Sequence, residues 1–116
     1  MLKERLTGIV KEEISPENPR SRLLGLHLEG PKINPQVSGA IPKSSIWRST
    51  VRDLPGIIGL NEGGSEDHGV RIMTVAPEMD YGNDFRFIRA LVDKGILVAL
   101  GHSDASLEQT VAAINA

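Results

Sequence analysis

The sequence predicts an α/β protein built on a parallel sheet with helices against it. Three runs are apolar almost throughout: Arg22 to Glu29 (RLLGLHLE), Val70 to Pro77 (VRIMTVAP) and Ile96 to Leu100 (ILVAL). Continuous apolar runs of this length suit strands covered on both faces better than one-sided amphipathic strands. The second and third runs are separated by a segment with helical spacing, the pattern of βαβ units. Each run also carries its polar residues at its C-terminal end: His27 and Glu29, then Glu78, then His102.

The elements follow in order. Leu2, Leu6, Ile9 and Val10 form one stripe of an amphipathic helix, ended by Pro16 and Pro19, so residues 1–19 read as a helix and linker and 20–116 as three βα units. The first strand ends at Glu29 before Gly30-Pro31. Lys32 to Lys43 holds Pro35, Gly39 and Pro42 without periodicity and reads as a long loop, a type that is often functional. Ser44 and Ser45 are expected to cap a helix running through Trp47, broken by Pro55, Gly56 and Gly59, with an exposed turn over Glu62 to Gly69 that includes His68.

After the second strand a helix is expected with Asn83 or Asp84 as its cap, Phe85, Ile88, Leu91 and Val92 as its buried face, and Lys94-Gly95 at its C-terminus. The third strand ends at Gly101-His102-Ser103. Ser106 then starts a helix whose Leu107, Val111 and Ile114 share one face. Trp47, Met73 and Met79 read as packing residues.

Composition narrows the chemistry. Lys+Arg 13 against Asp+Glu 15 gives a formal charge of -2, and no basic stripe interleaved with aromatics is present, so nucleic acid is not the expected partner. There is no apolar run long enough for a membrane span or signal core, and a cytoplasmic protein is expected. The chain has no cysteine, which removes thiolate ligands and a Cys nucleophile and leaves His and carboxylates as the donors for any metal.

In parallel α/β architectures the site lies at the carboxyl ends of the strands, and in a closed barrel those ends share one mouth. In such a barrel Glu29 and His102 would share one pocket despite their separation in sequence; the alternative for each is an N-cap, an ion pair or a hydrogen-bonded core residue. A carboxylate and an imidazole are suitable ligands for a divalent ion, and an open zinc site commonly uses three protein ligands plus water. Two are visible here. His27 lies two residues before Glu29 and shares its strand face.

The words LGLHLEGPKINP (Leu24 to Pro35), MTVAPE (Met73 to Glu78) and ALGHSDAS (Ala99 to Ser106) stand in the order and spacing of the N-acetylglucosamine-6-phosphate deacetylases of the amidohydrolase superfamily, which residues 20 to 116 resemble. The resemblance implies part of a (β/α)8 TIM-type barrel and a metal-dependent hydrolase, with a divalent metal, zinc by expectation, held by Glu29 and His102. It implies a small-molecule amino-sugar phosphate as substrate, release of acetate, and a homo-oligomer. No catalytic residue is assigned within the chain: the general acid/base aspartate and the second histidine ligand are expected beyond Ala116, so the 116 residues alone are expected to be inactive.

The same resemblance assigns substrate contact to the loop word Gly39-Ala40-Ile41, and so to Ala40 and Ile41. Family members carry His or Gln where Ile41 stands. Isoleucine cannot donate to a carbonyl oxygen, so either the backbone makes that contact or the contact is altered. Lys32 replaces an aromatic and reads as a solvated side chain in preference to a phosphate contact. His27 reads as a core residue or a support for a ligand, and Glu78 and Asp104 as structural, Glu78 closing the second strand and Asp104 helping to start the last helix. Another amidohydrolase activity on a related amide, and a non-catalytic truncated homologue, stay open as alternatives.

Overall fold

The computed structural model describes residues 24–58 and 69–116. The expected N-terminal helix, the exposed turn up to His68 and the boundary at residue 19 lie outside the described residues. Three strands, β1 (Leu26–Glu29), β2 (Val70–Val75) and β3 (Leu97–Leu100), form a parallel sheet in the order β1-β2-β3. The α/β class and parallel strands are as the sequence predicts.

Register explains which side chains reach which face. Leu28 pairs with Met73 and Met73 with Val98, while Glu29 pairs with Thr74 and Thr74 with Ala99. Paired residues share a face and neighbours along a strand alternate. Leu26, Leu28, Met73, Val75, Val98 and Leu100 join the core on one face, and His27, Glu29, Ile72, Thr74, Leu97 and Ala99 occupy the other. The expectation of a sheet covered on both faces is corrected for the described residues. His27 and Glu29 are exposed, and Leu97 is 65% exposed. One face meets helices and the other lies open, as it does for strands taken from one side of a barrel.

The segment after β1 holds two short 3-10 turns, Lys43–Ser45 and Val51–Asp53, with residues 46–50 extended between them. The expected helix through Trp47 is therefore absent, and Trp47 is 45% exposed. The Ser49 hydroxyl donates to the Trp47 carbonyl, one of the local side-chain bonds by which serine competes with a helix ladder. Helical backbone begins at Val51, where the Thr50 N–H and hydroxyl both donate to Asp53 Oδ2 at 2.6 and 3.0 Å, and α1 (Leu54–Ile58) continues it. Pro55, expected to break a helix, instead sits in the first turn, where no backbone N–H is needed.

After β2 come α2 (Glu78–Tyr81) and α3 (Arg86–Asp93). The cap of α3 is neither Asn83 nor Asp84. Asp84 and Phe85 adopt positive φ of 54° and 53°, and Asp80 of α2 reaches across so that its Oδ2 accepts from the Phe87 and Ile88 N–H groups, both at 3.0 Å. A carboxylate at a helix N-terminus satisfies orphan donors and complements the dipole. Phe87, Ile88 and Leu91 are buried as the helix's core face, with Phe85 beside them, whereas Val92 is 57% exposed. Gly95, at φ 72°, ends the helix.

The last helix, α4 (Leu107–Ile114), starts where expected. Ser106 Oγ accepts from the Gln109 N–H and the Gln109 side chain accepts from the Ser106 N–H, a reciprocal capping box. Its apolar stripe is uncovered: Leu107 and Ile114 are 81% and 71% exposed. Among the described residues no helix is long and apolar enough to cross a membrane.

Lys32 is the clearest correction to the sequence reading. It is 3% exposed, its Nζ stands 3.3 Å from Asp80 Oδ1, donates to the Ser49 carbonyl at 2.6 Å, and lies 5.1 Å from the Phe87 ring centroid. That burial and pairing overturn the reading of Lys32 as a solvated side chain.

Candidate metal centre at the strand ends

Glu29 closes β1 and His102 follows β3 by two residues. The outer strands are separated by β2, and the loop conformation brings the two side chains together: Glu29 Oε1 stands 3.9 Å from His102 Nε2. Two donors that share one ion at about 2.0–2.2 Å each cannot lie more than about 4.3 Å apart, so this separation fits joint ligation. Gly101 permits the approach of the loop, since a Cβ there would meet Thr74 Cγ2 at 3.1 Å.

The His102 ring is oriented from its far side. Its Nδ1 lies 3.1 Å from the Val37 carbonyl, which can only accept, so that bond requires a proton on Nδ1 and leaves Nε2 as the ring nitrogen facing Glu29. An orienting bond on the far nitrogen of this kind is common for histidines that ligate a metal through the other. His102 holds φ 49°, a conformation uncommon for a residue other than glycine and one that persists where its surroundings enforce it. Among the described residues no group of three His, Cys, Asp or Glu side chains is placed to hold an ion. The pair is a fitting part of a donor set, and a complete set needs at least one further ligand.

The loop between β1 and the first 3-10 turn packs on His102. Asn34 N–H donates to the His102 carbonyl at 3.0 Å, and a Cβ on Gly39, at φ 59°, would lie 3.9 Å from His102 Cε1. Ala40 and Ile41 thus follow a residue that abuts the imidazole. Ala40 is exposed and Ile41 half-buried. The Ile41 N–H already donates to the Ser38 carbonyl at 3.1 Å, so it is not free to donate to a substrate carbonyl, and the expected backbone contact from this residue is not available. His27 pairs through Nε2 with Thr74 Oγ1 at 2.9 Å and does not join Glu29.

Glu78 has a larger role than closing a strand. Its carboxylate accepts from Asn34 Nδ2 at 3.0 Å, Ser103 Oγ at 2.5 Å and the Asp104 N–H at 2.7 Å, so the segments after all three strands meet on it. Partial burial raises its pKa, but the bonds from Ser103, the Asp104 N–H and Asn34 outweigh that and leave it below the usual carboxylate value. Asp104 therefore serves through its backbone N–H, and the helix start belongs to Ser106. The sequence signal for this junction is the polar residue in each strand-end word, Asn34, Glu78 and Ser103.

No family model matches the chain. It is 39% identical over 87 residues to N-acetylglucosamine-6-phosphate deacetylase of Bacillus subtilis, and 42% identical over 88 residues to that of Homo sapiens; each match takes in 73% of the chain and 20% of the relative. It is 34% identical over 98 residues to N-acetylgalactosamine-6-phosphate deacetylase of Escherichia coli O157:H7, covering 84% of the chain and 24% of that protein. Its fold matches the crystal structure of N-acetyl-D-glucosamine-6-phosphate deacetylase from Mycobacterium smegmatis with a TM-score of 0.73 at 28% identity, over 98% of the chain and 29% of that structure. A variant of that enzyme in complex with N-acetyl-D-glucosamine-6-phosphate gives a TM-score of 0.67 at 33% identity, over 78% and 22%. The three strands and their helices are thus part of a (β/α)8 barrel. The chain is similar to N-acetylglucosamine-6-phosphate deacetylases over roughly three quarters of its own length and spans about a fifth to a quarter of the length of the curated relatives it matches.

Proposed function

We propose that the chain supplies two metal ligands and part of the substrate loop to a metal-dependent deacetylase acting on an N-acetyl amino-sugar 6-phosphate, with N-acetylglucosamine 6-phosphate as the substrate. The observation that carries this reading is the Glu29–His102 pair, with His102 Nε2 3.9 Å from the carboxylate and Nδ1 held by the Val37 carbonyl. Glu29 gives a hard oxygen donor and His102 a neutral nitrogen, a set suited to zinc. A divalent ion held there supplies an acidified water and polarises the amide carbonyl.

The chain's own residues set the surroundings. Val37 fixes the His102 tautomer, and the Gly39–Ile41 turn walls one side of the imidazole. The proton acid/base is assigned outside the described residues, because Glu78 is engaged by three donors and Asp80 by Lys32 and the α3 N-terminus. A cytoplasmic homo-oligomer remains part of this proposal for the whole protein.

Ile41 favours a second reading, a related amide whose carbonyl is not held by a side-chain donor at this loop. Acetate release from the 6-phosphates of N-acetylglucosamine and N-acetylgalactosamine by the intact protein, with and without a chelator, separates the two. The proposal expects chelator-sensitive release from at least one sugar. Metal-dependent hydrolysis of other amides, with neither sugar cleaved, favours the second reading. A protein that binds no divalent metal and releases no acetate contradicts both.

A further inference from the structure

We propose that Glu78 is a positioning residue that holds His102 in its ligating conformation by clamping the loops on both sides of it. The inference rests on the metal reading of Glu29 and His102. Two chains of contacts run from the one carboxylate. On one side, Glu78 Oε1 accepts from Asn34 Nδ2. Asn34 is tied to the His102 backbone by its N–H, its side-chain oxygen accepts from the Gln36 N–H at 2.9 Å, and its carbonyl accepts from the Val37 N–H at 3.2 Å. Those bonds set the turn that aims the Val37 carbonyl at His102 Nδ1, which lies 3.1 Å away. On the other side, Glu78 takes the Ser103 hydroxyl and the Asp104 N–H, directly after His102.

The second chain acts on the backbone. His102 at φ 49° holds a conformation that an unrestrained histidine rarely populates, and the bonds to the two residues following it oppose relaxation to negative φ. Glu78 therefore determines both where the imidazole sits and which nitrogen carries its proton, without touching it. Direct ligation by Glu78 is disfavoured, since three of roughly four lone-pair positions on a carboxylate are already used. Groups that orient a ligating histidine typically change metal affinity by about 10- to 100-fold when removed.

The test is made on the intact protein with Glu78→Ala, Glu78→Gln and Ser103→Ala. Zinc affinity is measured by competition with a chromophoric chelator. The His102 tautomer is read from ring nitrogen shifts of the metal-free protein, assigned by their loss in His102→Gln. Glu78→Ala is expected to weaken zinc binding by about 10- to 100-fold and to mix the two tautomers. Glu78→Gln, which keeps an acceptor for Asn34 and Asp104, is expected to recover part of both. A folded Glu78→Ala protein with unchanged affinity and tautomer overturns the proposal, and so does complete loss of zinc with the tautomer intact, which would make Glu78 a ligand. If the alanine variant does not fold, Glu78→Gln and Ser103→Ala decide by the same two readouts. If the unaltered protein binds no zinc, the metal reading fails, and the tautomer comparison alone still decides the clamp.

Discussion

Lys32 and Asp80 form a buried ion pair, Nζ to Oδ1 at 3.3 Å, that joins the loop after β1 to the N-terminus of α3. Asp80 uses its other oxygen for the Phe87 and Ile88 N–H groups. Removing one member of a buried pair strands the other charge. Asp80→Ala is therefore expected to destabilise by about 3–5 kcal/mol, because it leaves Lys32 uncompensated and two helix donors unsatisfied. Lys32→Met, which keeps the α3 cap and the apolar contact with Phe87, is expected to cost less, about 1–3 kcal/mol. Urea unfolding of the two variants measures both; equal costs, or a change under about 1 kcal/mol for Asp80→Ala, would contradict the structural account.

Glu78 gives stability a pH dependence of defined sign. Its folded pKa lies below the ordinary glutamate value of 4.5, so its contribution is fully present above the unfolded value and is lost as pH falls through the folded one. The unaltered protein is expected to lose stability more steeply below about pH 4.5 than Glu78→Gln does. Thermal midpoints taken from neutral to acid pH check this, and parallel curves for the two proteins would remove Glu78 from the explanation.

Ile41 presents no donor from its side chain, and its N–H is committed to Ser38. Ile41→His is expected to raise kcat/KM for an N-acetyl amino-sugar 6-phosphate by about tenfold or more, since one donor aimed at developing oxyanion charge is commonly worth that much. Steady-state kinetics on the intact protein check it. Unchanged or lower kcat/KM would place the contact elsewhere.

The open face and the uncovered α4 stripe bear on solution behaviour. Leu97, Leu107 and Ile114 are 65%, 81% and 71% exposed, and an open sheet edge beside exposed apolar surface invites association. The 116-residue chain on its own is expected to self-associate in sedimentation experiments, and Ile114→Lys to reduce that association. A monomer at all concentrations, with a sharp concentration-independent unfolding transition, would contradict this expectation.

The legible and illegible parts of the sequence divide by range of interaction. Strand runs, the Gly95 stop and the Ser106 cap rest on neighbours in sequence, and they stand where their patterns put them. Glu29 and His102 stand side by side because parallel topology collects strand ends. The partners of Lys32, Asp80 and Glu78 lie far away in sequence: Lys32 pairs with Asp80, and Glu78 with Asn34 and Ser103. No local pattern marks a buried lysine or a carboxylate that caps a helix from another helix. Around Trp47 two serines suit a helix cap, but no apolar periodicity follows them and the backbone stays extended.

The central claim is that Glu29 and His102 hold one metal ion together. Zinc titration of the intact, metal-free protein, compared with Glu29→Gln and His102→Gln, tests it most directly. The account predicts that each variant loses about 100-fold or more in affinity and that the double variant binds zinc no better than either single one. Zinc affinity unchanged in either single variant would contradict it.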